Sequence, residues 1–319
     1  MSTRRTPAVS PATASPIPSA RPGSKRARDP LFDSEFLKKL ETLNLVARQL
    51  VRGRRSAARP SIKKGASTDF KDFREYSPGD DPRTVDWMAY ARLGELYIKL
   101  FRQEEELDVW VLLDRSGSMN FGEPNKFDHS RRIAAALAYI GLANFDSAGI
   151  VPFDSDLRPG LERLRGKGQI LRLMGLLEEI APGGETDFEK VAQIFTRRVR
   201  RPGLVIVISD FYGLQRARAG LDRLRFAKHQ LHVVQVVSPW ERNPPLRGEL
   251  RLIDTETGGQ QNLTITDSML RKYKAAFEQF KVDLKTYAMG SSIGFDQAGT
   301  DVAFDEFVRQ VIQHGRLLA

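Results

Sequence analysis

The 319-residue sequence has no cysteine and four histidines. The missing cysteine excludes disulfides, thiolate metal sites and cysteine nucleophiles, and it fits a reducing compartment. Four histidines leave little room for a zinc centre, and none of them form an H-x-x-x-H pair. Long hydrophobic runs are also missing. The clearest ones, residues 109–113 and 204–208, fall far short of the ~20 residues a membrane helix needs. No apolar stretch follows Arg4 and Arg5, so the start of the chain does not read as a secretory signal. No G-x-x-x-x-G-K-[ST] occurs, which argues against an intrinsic P-loop ATPase. These absences leave the expectation of a soluble, cytoplasmic protein.

Charge is plentiful but unevenly placed. The formal net charge is +10. Residues 1–65 hold 15 Lys and Arg against 4 Asp and Glu, which leaves 35 against 36 for the remainder. The body of the chain is therefore near neutral, and the basicity sits in an N-terminal arm. Such an arm is more often a solvated tail than a nucleic-acid contact.

Residues 1–30 are a basic Pro/Ser/Ala tail with few large apolar side chains, a composition expected to stay disordered. Phe36, Leu37, Leu40, Leu43, Ala47 and Leu50 recur at three- and four-residue steps and predict a helix over 33–51, ended by Gly53. A basic linker spans 52–65. In 66–104, turn formers at 77–82 precede an alternating strand at 95–101, so 31–104 reads as a helix plus a small β-rich accessory region. Arg74, Asp80, Arg83, Asp86 and Arg92 crowd around Trp87. They suggest either a surface ion-pair network under a partly buried Trp or a partner-recognition surface.

From 105 to 319 the pattern alternates strand and helix. Strands are expected at 107–113, 148–153, 204–209, 231–237 and 282–288. Helices are expected at 127–146, 168–180, 187–199, 215–228, 267–281 and 302–316, with a hairpin near 248–265. The fold class is α/β, Rossmann-like, with a mainly parallel sheet and helices on both faces.

Three separated pieces carry chemistry. Asp114-Arg115-Ser116-Gly117-Ser118 follows the first strand of the α/β part. Gly183-Gly184-Glu185-Thr186-Asp187 precedes a helix. Ser209-Asp210 follows the apolar run at 204–208. Open α/β sheets bind ligands outside the carboxyl ends of their strands, so one site can collect Asp114, Ser116, Ser118, Thr186 and Asp210. Two carboxylates and three hydroxyls form a hard oxygen set suited to Mg²⁺, with Mn²⁺ or Ca²⁺ as alternatives. Neutral hydroxyls leave the ion electrophilic, so an outside carboxylate can take an open position. Asp187 reads equally as an acceptor behind the ion or as a first-turn acid. Ser209 is expected to face the sheet, Arg115 to point away from the ion, and Asp154 and Asp156 to be solvated. His129 is expected to be a solvated or capping residue, and His229 and His232 to be structural.

These five positions resemble the metal-ion-dependent adhesion site of von Willebrand factor A domains. The stretch from Phe73 to Trp87, with Ala91-Arg92 and the run 95–99, resembles the bacterial domain-of-unknown-function family fifty-eight over about residues 31–290. That resemblance implies a non-enzymatic adaptor or chaperone role beside a MoxR-type AAA+ ATPase. Two other classes compete with it. A metal-dependent phosphohydrolase also places an aspartate at a strand end, but the D-x-D pattern is broken by Ser116 and no lysine follows the clear strand ends. Nucleic-acid binding would use Arg52, Arg54, Arg55, Lys63 and Lys64 on phosphates, yet the arm lacks interleaved aromatics.

Overall fold

The computed structural model describes residues 30–57, 70–101, 108–144, 147–255 and 258–314. The chain divides into Met1–Leu31 and Phe32–Ala319, and the described strands and helices all belong to the second unit. The expected disorder of the tail and the Lys63-Lys64 part of the linker lie outside the described residues.

The first helix, α1, spans Ser34–Ala57. Asp33 accepts the Phe36 N–H at 2.7 Å and caps it. Phe36, Leu40, Leu43 and Ala47 are buried, as their spacing requires. Gly53 does not end the helix. Arginine and alanine on both sides favour helix, and one interior glycine costs only about 1 kcal/mol. Next, β1 (Phe70–Glu75) pairs antiparallel with β2 (Tyr97–Phe101), and α2 (Trp87–Leu93) lies between them in sequence.

Among the described residues the main sheet has six strands. They are β3 (Asp108–Asp114), β4 (Ser147–Phe153), β5 (Leu161–Leu164), β6 (Leu204–Ser209), β7 (Gln230–Val237) and β10 (Gly294–Gly299). Their order is β10-β7-β6-β3-β4-β5. Every pair is parallel except the edge pair β4–β5. The protein is thus mixed α/β with a mainly parallel central sheet. The hairpin forms as expected, from β8 (Gly248–Ile253) and β9 (Gln260–Ile265).

Among the described residues six larger helices accompany the sheet: α3 (Lys126–Asn144), α4 (Ile170–Glu179), α5 (Phe188–Arg198), α6 (Leu214–Phe226), α8 (Asp267–Gly290) and α9 (Phe304–Gln313), with a short α7 (Pro239–Arg242). Side chains alternate between sheet faces. Trp110, Leu112, Val205, Val207 and Val233 share one face with Phe188, Phe195, Leu221 and Leu284 from α5, α6 and α8. On the other face α3 lies so close that a Cβ on Gly141 would sit 3.0 Å from Ala148 and 3.3 Å from Val109. With both faces covered, β3 and β6 are buried along their whole lengths, and this explains their unbroken apolar runs.

One expected strand is wrong. Residues 282–288 continue α8, and the last strand is Gly294–Gly299. Val282, Leu284 and Thr286 alternate over a few residues as a strand would. However, Phe277, Leu284 and Ala288 are the buried positions, a helical spacing, and nothing breaks the helix before Gly290.

Candidate functional site

The carboxyl ends of β3 and β6 lie side by side, because Leu113 of β3 is in register with Ile208 of β6. Asp114 and Ser209-Asp210 therefore meet where these strands stop. Asp114 is buried. Its Oδ1 accepts the Ser116 N–H at 2.9 Å, and its Oδ2 accepts the Ser209 hydroxyl at 2.6 Å. Ser116 Oγ and Ser118 Oγ are 3.1 Å apart. The two hydroxyls thus meet, and the Ser116 N–H ties the Asp114 carboxylate to the same turn, which runs on as a short 3₁₀ segment over Gly117–Met119.

The glycine loop is tied to this turn through the main chain. Gly117 N–H donates to Gly184 O at 2.8 Å, and Gly183 N–H donates to Arg115 O at 2.6 Å. Gly183 and Gly184 have φ of 153° and 91°, a region that glycine enters without strain. Thr186 follows, half-buried. It shares with Ser209, Asp210, Tyr212, Gly213 and Arg216 the wall of a cavity of about 270 Å³.

Asp210 is held by the turn after β6. Phe211 adopts φ 60°, unusual for a bulky side chain. That turn lets Ser209 Oγ accept the Phe211 N–H at 2.9 Å and Asp210 Oδ1 accept the Tyr212 N–H at 3.3 Å. Asp210 Oδ2 accepts from the Lys126 ammonium at 2.8 Å.

Burial pushes the Asp114 carboxyl up to about 7, and the Asp210 charge beside it adds to the shift; hydrogen bonds from Ser209 and Ser116 offset part of it. The five sequence-predicted donors are all oxygens. Among the described residues no group of three His, Cys, Asp or Glu is placed to hold a metal. Any cation here would therefore depend on the two carboxylates with hydroxyls. Two buried carboxylates side by side, with hydroxyls on the same turn, fit a hard cation.

Several neighbouring expectations change. Ser209 turns its hydroxyl onto Asp114 instead of the sheet, because a buried carboxylate demands donors. Asp154 is not solvated. It is 1% exposed and accepts from Arg158 at 2.8 Å. Asp156 does reach the surface, where it pairs with Lys190 at 2.9 Å. Asp187 caps α5 by accepting the Lys190 N–H. Arg115 leans toward Asp154, with Nε 3.8 Å from Oδ2. His129 is 7% exposed, a buried residue and not a solvated one.

The chief residues that sequence reading missed are Lys126 and Glu241. Lys126 has no exposed surface, and its ammonium bridges Asp210 and Glu241 Oε1, the latter at 2.5 Å. A lysine therefore does stand at the strand ends. It escaped notice because it arrives from the start of α3, 84 residues before Asp210 in sequence.

The surface cluster near Trp87 resolves into local roles. Arg74 grips Asp80 with two hydrogen bonds of 2.8 and 2.9 Å. Asp86 caps α2 through Met88 N–H and Ala89 N–H. Arg83 and Arg92 are exposed. Trp87 is not partly buried beneath these charges. It is 63% exposed, since α2 starts at Trp87 and its cap, not its ring, fixes the turn.

Among solved structures the chain is similar to the conserved hypothetical protein BatB from Bacteroides thetaiotaomicron. That match has 17% identity and a TM-score of 0.38, and covers 66% of this chain and 98% of that one. It is also similar to a manganese-loaded TRAP protein of Plasmodium vivax, at 22% identity and a TM-score of 0.32, over 41% of this chain and 57% of that one. Likeness at this level bears on neither site nor function. Uncharacterized proteins of Mycobacterium bovis and Mycobacterium tuberculosis are 24% identical over 262 residues, 81% of this chain and 82% of theirs. No helix among the described residues is long and apolar enough to cross a membrane. Residues 72–282 match the family described as "Protein of unknown function DUF58", and the chain belongs to that family.

Proposed function

We propose that the α/β body is a von Willebrand factor A-type module whose strand-end site binds Mg²⁺, or Mn²⁺ or Ca²⁺ in its place, and through it a carboxylate of a protein partner. Asp114, Ser116, Ser118, Thr186 and Asp210 would hold the ion. The observation that carries this reading is the pair of buried carboxylates, Asp114 and Asp210, at adjoining strand ends beside the hydroxyls of Ser116 and Ser118. Buried like charges are costly unless a cation compensates them. The bound ion would supply a Lewis-acidic point for an incoming acid. The reading is non-enzymatic, and the resemblance drawn from the sequence points to a MoxR-type AAA+ ATPase in the cytoplasm as the partner.

Calorimetric titration with Mg²⁺ tests the site. Wild type is expected to take up about one ion and Asp114→Ala none; equal uptake by both overturns the reading. A pull-down tests the partner. The ATPase is expected to come down with wild type, and to be lost with a chelator and in Asp210→Ala.

One observation favours a second reading, a metal-dependent phosphohydrolase. Lys126 supplies the strand-end lysine that the sequence seemed to lack. Ser116 still stands where that pattern needs a second acid. Turnover of an aryl phosphate, abolished in Asp114→Asn, would establish it.

A further inference from the structure

Lys126 is buried at the first residue of α3. The start of a helix is the unfavourable end for a cation, so its position needs an explanation. Two carboxylates supply one, Asp210 and Glu241. Glu241 is fixed in turn. Its Oε2 accepts the Ser238 N–H at 2.8 Å, and its Oε1 accepts the Tyr212 hydroxyl at 2.9 Å. The rings of Tyr212 and Phe121 lie 5.2 and 5.9 Å from the ammonium, close enough to favour a cation. The ammonium is thus locked against one oxygen of Asp210 from the side of α3 and α7.

Charge arithmetic gives this lock a consequence. With a cation bound, the carboxylates of Asp114, Asp210 and Glu241 count as three negative charges and the Lys126 ammonium as one positive, so the protein groups sum to −2. A divalent cation brings it to zero. Without the lysine the group would be −3. It would attract the cation more strongly, but the loaded site would stay at −1 and repel an incoming carboxylate.

We propose that Lys126 is a tethered counter-cation of the strand-end site, which holds divalent-cation affinity down and keeps the cation-loaded site neutral enough to accept a carboxylate from outside. Lys126 is a positioning residue here, not a ligand. The proposal rests on the reading of the site as a divalent-cation site.

The experiment compares wild type, Lys126→Gln, Lys126→Arg and Glu241→Gln, each checked for folding by circular dichroism. Mn²⁺ is titrated and followed by water-proton relaxation, and acetate is then added as the carboxylate probe. Lys126→Gln is expected to bind Mn²⁺ about tenfold more tightly and acetate correspondingly more weakly. Glu241→Gln removes a negative charge and is expected to do the reverse, and Lys126→Arg to stay near wild type. Mere structural damage lowers both affinities together. If Lys126→Gln does not fold, the sign of the Glu241→Gln shifts decides. Absent shifts, or Mn²⁺ and acetate affinities moving in the same direction, overturn the role of Lys126 and leave the cation site standing. Failure of wild type to take up Mn²⁺ overturns the cation site and this proposal with it.

Discussion

The strand-end site and the lead-in formed by β1, α2 and β2 are both dense in charge, yet they bury opposite things. At the strand ends Lys126, Asp210 and Glu241 are each less than a tenth exposed, and each meets an opposite charge. In the lead-in the Arg74–Asp80 pair stays at the surface, while Trp87, Met88 and Leu93 stand more than 60% exposed. A count of charged residues does not separate the two regions; position relative to the sheet does. Charge buried at a sheet end must be compensated residue by residue. In the lead-in, charge shapes the backbone instead: Asp86 caps a helix and Asp80 accepts the Ser77 N–H.

That contrast predicts a steep gradient of energetic effects. Glu241→Ala is expected to destabilise the protein most, by about 3–5 kcal/mol, because it strips one partner from a buried ammonium. Urea denaturation measures it, and a loss below about 1 kcal/mol would place this network on the same footing as a surface pair.

The next effect appears with pH. Burial, then the Arg132 charge, pulls the His129 imidazole down to about 4, against a smaller opposing pull from Asp301. The folded state therefore prefers neutral His129, and between about pH 6.5 and 4 the unfolded chain binds the extra proton. The stabilisation is present above pH 6.5 and is lost as pH falls toward 4, by on the order of 3 kcal/mol. Stability measured at pH 7 and pH 4.5 should show a smaller drop in His129→Leu than in wild type.

The smallest effect belongs to the lead-in. Arg74→Ala is expected to cost about 0.5–1 kcal/mol, since its side chain is 37% exposed and solvent screens the pair. A cost as large as that of Glu241→Ala would erase the distinction between the regions.

The elements most legible in the sequence were those whose burial is two-sided or strictly periodic. β3 and β6 read as unbroken apolar runs, and α1 as a helical stripe. The expected donors Asp114, Ser116 and Ser118 lie on one turn, and Asp210 lies at the adjoining strand end, because a parallel sheet brings strand ends together whatever their separation along the chain. Elements with weak local patterns were missed. β5 is a four-residue edge strand, too short to show alternation. The second half of α8 alternates by accident over a few residues. Lys126 carries no local signal: a lysine opening a helix looks solvated until the fold delivers two acids to it. Glu241 carries one, the S-x-x-E of Ser238 to Glu241, but it marks a helix start and not a site. Trp87 misled in the opposite sense, because a large aromatic residue among charges suggests burial that its place at the start of α2 does not provide.

The two main-chain bonds between the serine turn and the glycine loop have a quieter consequence. Gly117 to Gly184 and Gly183 to Arg115 form a pair of rungs made wholly of peptide groups. Replacing the site's side chains leaves such rungs in place, whereas a side chain at Gly183 or Gly184 would strain the backbone that forms them.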